Sequence, residues 1–262
     1  FPFLYFEGVI GSIPMDWRYI PLETHNAALN MALDEACAHA LVQGKVFPTI
    51  RFYRWQPSAV SIGYFQSLEQ EVDVNECQKQ NVDIVRRRTG GGAVYHDYHG
   101  EITYSLIAPE KMFASNIVES YKQVAEGIIS GLKQLNVKAE FVPINDLVVN
   151  GKKISGNAQT RRNGILQMHG TILCDVDVEK MFSLLKVPDA KVKDKLIANV
   201  KERVTSLKHH GVSDYQTVYE ALMHGFLDGK QWKEGVWTKE EMDNATILTE
   251  EKYGNEKWNG MR

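Results

Sequence analysis

Three arginines run directly into three glycines in Arg86-Arg87-Arg88-Thr89-Gly90-Gly91-Gly92, and Ala93-Val94-Tyr95-His96-Asp97 follows. Arginine offers forked, permanently charged donors that match a carboxylate or a phosphate. Three successive residues without Cβ let the backbone come close to a ligand. The chemistry this spacing offers is capture of an anion. The segment is not a P-loop, because no Gly-Lys-Ser/Thr follows, and its spacing is not that of the dinucleotide fingerprint. Taken alone, a triple glycine is equally a tight turn between strands. Successive strand residues face opposite ways, so Arg86 and Arg88 share one face and Arg87 takes the other.

A second group comprises Asn145-Asp146-Leu147-Val148-Val149 and Gly151-Lys152-Lys153-Ile154-Ser155-Gly156-Asn157-Ala158. Lys152 and Lys153 point to opposite faces of a strand, so one can be solvated while the other turns inward. Ser155 and Gly156 leave room beside Lys153, and an inward lysine is a mobile point charge for a phosphate. Asp146 could hold a magnesium ion beside phosphates, or serve as a turn residue leading into the strand. His169-Gly170-Thr171 forms a third group. An isolated histidine is more often a structural hydrogen-bonder than a catalyst, and the same holds for His96. Cys37, Cys77 and Cys174 are scattered without CxxC spacing, which indicates neither a disulfide framework nor a zinc site and fits a reducing cytoplasm. Cys174 reads as a buried, inert thiol.

The elements that must position these groups can be read from periodicity. Apolar residues at helical spacing predict helices over residues 26–43 and 117–135, and a third near 215–227. Strands are expected at 49–53, 59–64, 82–86 and 102–107. Asn150-Gly151 and Asn163-Gly164 each sit between strand-like runs and predict two successive hairpins. From Val178 the pattern is helical, with Pro188 and Gly211 as breaks. The charged, tryptophan-containing tail from Lys230 to Arg262 reads as a segment that wraps the domain. The fold class is α+β, with a partly antiparallel sheet and helices between groups of strands.

With 262 residues, 44% hydrophobic and 24% charged, the composition is that of an ordinary globular protein. A formal net charge of −3 makes general nucleic-acid binding a poor expectation. No apolar run approaches the ~20 residues needed to span a bilayer, so no membrane association is expected. Phe1 to Pro14 is aromatic and apolar without a basic region, and reads as an appended or upstream extension (residues 1–14) and not as a signal peptide. Residues 15–262 read as a single domain.

Together these segments resemble the lipoate–protein ligase A family, whose pattern runs RRxSGGGAVxHD, NDLVV, [RK]K[IV]SGSA and HGT[IL]L. They stand here, in order, at Arg86 to Asp97, Asn145 to Val149, Lys152 to Ala158 and His169 to Leu173. Weaker echoes are Ile62 to Gln66, Arg203 to Leu207 and Glu256 to Gly260. The resemblance implies a biotin/lipoate ligase-like, class II synthetase-like mixed β-sheet with flanking helices. It implies activation of (R)-lipoate with ATP and Mg2+ to lipoyl-AMP. Transfer then goes to a lysine of a lipoyl carrier domain, such as a 2-oxoacid dehydrogenase E2 subunit or the glycine cleavage H protein. By the match, Lys153 is the catalytic residue, contacting acyl carbonyl and α-phosphate. Arg87, Gly92, Ala93, Val94 and Tyr95 bind ATP and adenylate, and Gly91, Gly92, Gly156 and His169 with Lys153 bind lipoate. Arg86, His96, Asn145 and Ser155 support the site, and Arg88 is expected to face solvent or to be particular to this chain. Thr89 stands where the family has Ser, and Asn157 where Ser is usual.

Long ligases of the family continue past the Trp-Asn-Gly segment at which this chain ends, and a separate small accessory subunit is expected to supply that missing part. The nearest rival is an octanoyltransferase of the same fold, which uses a cysteine nucleophile and an acyl-carrier thioester and needs no ATP. In the relatives nearest in pattern, that cysteine precedes the Lys-Ile-Ser-Gly segment. Here the stretch reads Glu140-Phe141-Val142-Pro143-Ile144-Asn145, and its lack of cysteine is taken against thioester chemistry. A further rival is a non-catalytic subunit that binds lipoate or its carrier.

Overall fold

The computed structural model describes residues 16–186 and 190–262. The N-terminal extension and the break at Pro188 lie outside the described residues. The strands are β1 (Trp17–His25), β2 (Thr49–Trp55), β3 (Ala59–Ile62), β4 (Asp83–Arg86), β5 (Val94–His96), β6 (Glu101–Pro109), β7 (Glu140–Val142), β8 (Asp146–Val149), β9 (Lys152–Arg162), β10 (Ile165–Leu173) and β11 (Trp232–Glu234). The helices are α1 (Ala27–Val42), α2 (Leu68–Glu71), α3 (Val74–Lys79), α4 (Ile117–Gln134), α5 (Val178–Leu184), α6 (Ala190–Arg203), α7 (Tyr215–Leu227), α8 (Lys239–Leu248) and α9 (Glu256–Asn259).

Eight strands form one mixed sheet in the order β11-β1-β2-β6-β10-β9-β8-β7, and β4-β3-β5 form a small second sheet. The pairs β11–β1 and β1–β2 are parallel, while β2–β6–β10–β9–β8–β7 is an antiparallel run. This is the expected mixed sheet with flanking helices. Both Asn-Gly dipeptides form the hairpins read from sequence. Asn150 and Gly151 have φ of 51° and 74°, and Asn163 and Gly164 have 53° and 75°. Left-handed geometry at both central residues gives a turn whose twist matches that of the flanking strands.

Helix α4 begins where the Asn116 side chain accepts the Glu119 N–H at 3.1 Å, satisfying one orphan donor of the first turn. Its Tyr121, Val124, Ile128 and Leu132 are buried in the main core. It meets α7 closely enough that a Cβ on Gly131 would lie 2.7 Å from the Ala221 carbonyl oxygen. Helix α1 departs from a one-sided amphipathic pattern. Besides Met31, Leu33 and Ala36 it buries Asn30, Asp34 and Glu35. The reason is tertiary: one side rests on the sheet and α8 packs on another.

The tail does wrap the domain. Arg18 of β1 pairs with Glu241 of α8 at 2.5 Å in the interior. Tyr253 donates to Glu35 at 2.6 Å, and the tail's end reaches the strand that leads into the glycine turn. The expected strand over 59–64 stops at Ile62, because Gly63 is pressed against the turn. A Cβ there would sit 2.0 Å from the Gly91 carbonyl oxygen.

Candidate active site

The glycine turn connects β4 to β5, and the arginines before it are its internal struts. Arg86 is fully buried. Its guanidinium donates to the carbonyls of Gly63 (3.1 Å), Tyr64 (3.2 Å), Gln66 (2.6 Å), Trp258 (3.0 Å) and Asn259 (2.7 Å). Arg87 holds the turn itself, donating to the Gly90 and Gly92 carbonyls at 2.8 and 2.7 Å. Its other donors go to the Ser61 carbonyl (3.1 Å), the Ser61 hydroxyl (3.0 Å) and the Thr89 hydroxyl (3.2 Å). Burial pushes the Arg87 pKa down to about 10. Arg88 does not face solvent, contrary to the expectation. It is buried, with Nε 3.7 Å from Glu35 Oε1. All three arginines turn inward, so the run holds no solvated residue, and Arg87 lines the cavity.

A cavity of about 350 Å³ opens beside the turn, within the range of small-ligand sites. Its walls include Tyr53 and Trp55 of β2, Gly91 to Asp97, Lys153, Gly156 to Ala158 and His169 to Thr171. The structure thus brings Arg87, Gly91, Gly92, Ala93, Val94, Tyr95, His96, Asn145, Lys153, Gly156 and His169 to one cavity. Arg86 and Ser155 do not line it: both are buried, Ser155 within β9. Asp146 also lies outside the lining but reaches the site through Lys153.

Lys153 Nζ lies 2.7 Å from Asp146 Oδ1, with the two side chains 42% and 34% exposed. The lysine folds back across Gly156, where a Cβ would fall 2.9 Å from its Cε and Nζ. Its carbonyl accepts the Thr205 N–H at 2.8 Å, which pins the start of β9. Asn157 accepts from the Tyr104 hydroxyl at 2.7 Å and donates to the Asn145 carbonyl at 2.8 Å, and Asn145 in turn donates to the Asn157 carbonyl. This reciprocal pair locks the segment before β8 onto β9. The Asp146 carboxylate is ion-paired to Lys153. Among the described residues no group of three or more His, Cys, Asp or Glu could hold a metal ion.

Two buried relays line the inner wall. Ser61 Oγ lies 2.8 Å from His96 Nε2, and His96 Nδ1 lies 2.7 Å from Glu101 Oε1. The His96 ring stacks on Trp55 with centroids 4.1 Å apart. In the second relay Thr89 Oγ1 lies 2.8 Å from His169 Nε2, whose Nδ1 is 3.7 Å from Asp34 Oδ2. Burial holds the His169 pKa below its ordinary value, with Asp34 opposing. Burial works against the Asp34 charge, yet Arg51 at 2.8 Å and His169 outweigh it and hold that carboxyl below the usual range. Both histidines are thus embedded hydrogen-bonders at the cavity wall. Sequence reading missed Ser61, Asp34, Glu101, Tyr53 and Trp55. The one available signal was Asp34-Glu35 inside an otherwise apolar helix, where a carboxylate needs a buried partner.

The three cysteines are buried. Burial pushes the Cys37 and Cys77 thiols up to about 11 and the Cys174 thiol up to about 12, and Cys174 is buried as expected. None of the three lines the cavity. No helix among the described residues is long and apolar enough to cross a membrane.

Residues 26–227 match the family described as the lipoyl protein ligase A/B catalytic domain. Octanoyltransferase LipM of Brevibacillus brevis is 36% identical over 93% of this chain and 98% of its own length. Octanoyltransferase LipM of Bacillus subtilis is 33% identical over 94% and 98%. Among solved structures, the bi-partite lipoate protein ligase of Thermoplasma acidophilum, described with its E2 lipoyl domain, superposes with a TM-score of 0.84 at 32% identity. That superposition covers 94% of this chain and 96% of that one. The expectation of ATP-dependent lipoate ligation is overturned by the whole-length relatives named octanoyltransferase. The missing cysteine at residues 140–145 was given too much weight against octanoyl transfer. A nucleophile's position is a local property, whereas identity across the whole chain reports the entire scaffold.

Proposed function

The chain belongs to the lipoyl protein ligase A/B catalytic domain family, and from that premise we propose that it transfers an octanoyl group from an activated acyl donor to a lysine of a lipoyl carrier domain. The reaction class follows the octanoyltransferases that it matches along their length, and the carrier follows the lipoyl domain described with the Thermoplasma acidophilum ligase. The observation that carries the reading is Lys153, a half-exposed cation held by Asp146 at the edge of a cavity with aromatic walls. The acyl chain occupies the cavity. Its carbonyl meets Lys153, whose charge stabilises the oxyanion that develops when an amine attacks. The backbone of Gly91 to Tyr95 flanks the chain, Gly156 gives Lys153 its path, and His169 closes the wall.

ATP and magnesium have no part in this reading, since the donors of Arg87 are engaged within the turn and Asp146 is engaged by Lys153. The octanoyltransferases are matched over 98% of their own length, which gives no support to the expected accessory subunit.

The test incubates the chain with an octanoyl thioester of an acyl carrier protein and an unmodified lipoyl domain, without ATP. Mass spectrometry of the domain should show one octanoyl group on its acceptor lysine. Modification only from free octanoate or lipoate with ATP, and none from the thioester, would overturn the proposal.

A further inference from the structure

We propose that Ser61 is a nucleophile that takes the acyl group from the donor as an ester, with His96 as its base and Glu101 as the carboxylate that positions His96. This rests on the transfer reading above and names the residues that make the bonds. Strand β3 runs antiparallel to β5, with Ser61 opposite Val94 and Ala59 opposite His96. Ser61 and His96 are thus diagonal neighbours on one face, a gap that a histidine ring can bridge. The chain then turns at residues 97–100, where the Gly100 N–H meets the Asp97 carbonyl at 3.1 Å, and opens β6 with Glu101. Ser61 Oγ lies 2.8 Å from His96 Nε2, His96 Nδ1 lies 2.7 Å from Glu101 Oε1, and all three residues border the cavity.

Donor chemistry fixes the direction of each bond in this relay. The Trp55 indole N–H can only donate, and it donates to Thr103 Oγ1 at 2.7 Å. Thr103 passes its own hydrogen to Glu101 Oε1 at 2.6 Å, so that oxygen is an acceptor. The proton between Glu101 and His96 therefore sits on Nδ1, and Nε2 of the neutral ring carries the lone pair. At the other end Arg87 donates to Ser61 Oγ at 3.0 Å, which leaves the Ser61 hydrogen to point at His96 Nε2. Each link leads away from the hydroxyl toward a buried carboxylate. That order draws a proton off a nucleophile and supports the imidazolium that forms. Trp55, stacked 16° from parallel with the His96 ring, keeps the imidazole in its plane.

Other hydroxyls near the cavity lack this arrangement. Thr89 makes the matching contact to His169, but His169 Nδ1 stands 3.7 Å from Asp34 and Thr89 does not line the cavity. The Tyr53 and Tyr95 hydroxyls border the cavity with no histidine bonded to them. Ser61 is 1% exposed, so an ester there meets its acceptor through the cavity and is shielded from bulk water. Lys153, on the same cavity, supplies the charge for the oxyanion.

Both steps balance. Ser61 Oγ attacks the thioester carbonyl carbon as its proton moves to His96 Nε2. A C–O bond forms, the C–S bond breaks, and the leaving thiolate takes that proton from His96. The carrier lysine, as the neutral amine, then attacks the ester carbonyl. A C–N bond forms and the C–O bond breaks, while His96 takes a proton from the nitrogen and returns one to Ser61 Oγ.

The test mixes the chain with the octanoyl thioester of an acyl carrier protein alone, quenches in acid within one turnover and weighs the protein intact. One octanoyl group mapped to Ser61 is expected; no adduct, or one mapped to a cysteine, overturns the assignment. Ser61→Ala should lower transfer to a lipoyl domain by about 10²-fold or more with a cooperative unfolding transition retained. Transfer within about twofold of wild type in that variant overturns the assignment. Since Ser61→Ala also removes a contact to Arg87, two further variants separate chemistry from structure. Ser61→Cys should carry the acyl group as a thioester released by neutral hydroxylamine, and a variant that takes up none overturns the site. Glu101→Gln should cut kcat by about 10²-fold or more with KM within about twofold; an unchanged kcat overturns its positioning role. If Ser61 is acylated and the carrier lysine never is, the transfer reading falls and the nucleophile stands. If the carrier lysine is modified with no adduct on Ser61, the transfer reading stands and the nucleophile falls.

Discussion

The glycine turn and the Lys153 hairpin border the same cavity with opposite physics. Three arginines stand before the turn, and all three are buried. Arg86 and Arg87 are saturated by carbonyl and hydroxyl oxygens of their own fold. The hairpin brings one lysine that is 42% exposed and held by a single carboxylate. The denser cluster of charge is therefore scaffold, and the sparser one is free to meet a substrate. Guanidinium is planar with five fixed donors, so it can bind several carbonyls at once and stiffen a loop. Ammonium on a flexible stem can follow a carbonyl as charge develops there.

That contrast is open to direct attack. The largest effect is expected from Arg86→Ala, which takes a donor away from five carbonyl oxygens. It should lower unfolding free energy by about 3–5 kcal/mol, read as a shifted denaturant midpoint. Stability within about 0.5 kcal/mol of wild type would remove the strut role. Lys153→Ala should do the reverse. Transfer should fall by about 10²–10³-fold while the denaturant midpoint barely moves. If Lys153→Ala unfolds the chain, or keeps full turnover, the two regions do not divide the work in this way.

Gly63→Ala sharpens the comparison from the turn's underside. The added methyl meets the Gly91 carbonyl oxygen at 2.0 Å, so the turn must shift, at about 1–3 kcal/mol. Weaker acyl-donor binding, seen as a raised KM, should accompany that loss. A variant with wild-type KM would show that the turn's position does not matter for binding.

The smallest effect concerns pH. Burial depresses the His169 pKa in the folded chain. Above the unfolded value near ~6.5 both states are neutral and the preference for the neutral ring is fully present. As pH falls below that value the unfolded chain takes up the proton first, and this part of the stability is lost. His169→Gln should therefore flatten the decline of melting temperature between pH 7 and 5. An unchanged slope would mean that His169 is not a source of the pH dependence.

Much of the frame was legible because it is written in local rules. Asn150-Gly151 and Asn163-Gly164 specify their turns by needing left-handed φ, and Tyr215 to Leu227 specifies a helix by its apolar spacing. The segments carrying Lys153, Gly156, His169 and the glycine turn were legible as a family pattern, and the fold does gather them around one cavity. Ser61, Glu101 and Asp34 were not legible. Each is ordinary in its own strand or helix and gains meaning only from partners, Ser61 and Asp34 from ones far away in sequence.

By itself, then, the chain's sequence determined its longer helices, its two hairpins and part of the set of residues bordering one cavity, since those follow from periodicity, turn chemistry and motif. Tertiary structure alone decided which cations are struts and which cation is free. Arg88 and Lys153 carry the same unit charge, and only packing, by surrounding one with Glu35 and the interior and leaving the other beside Asp146 in partial contact with water, sets them apart.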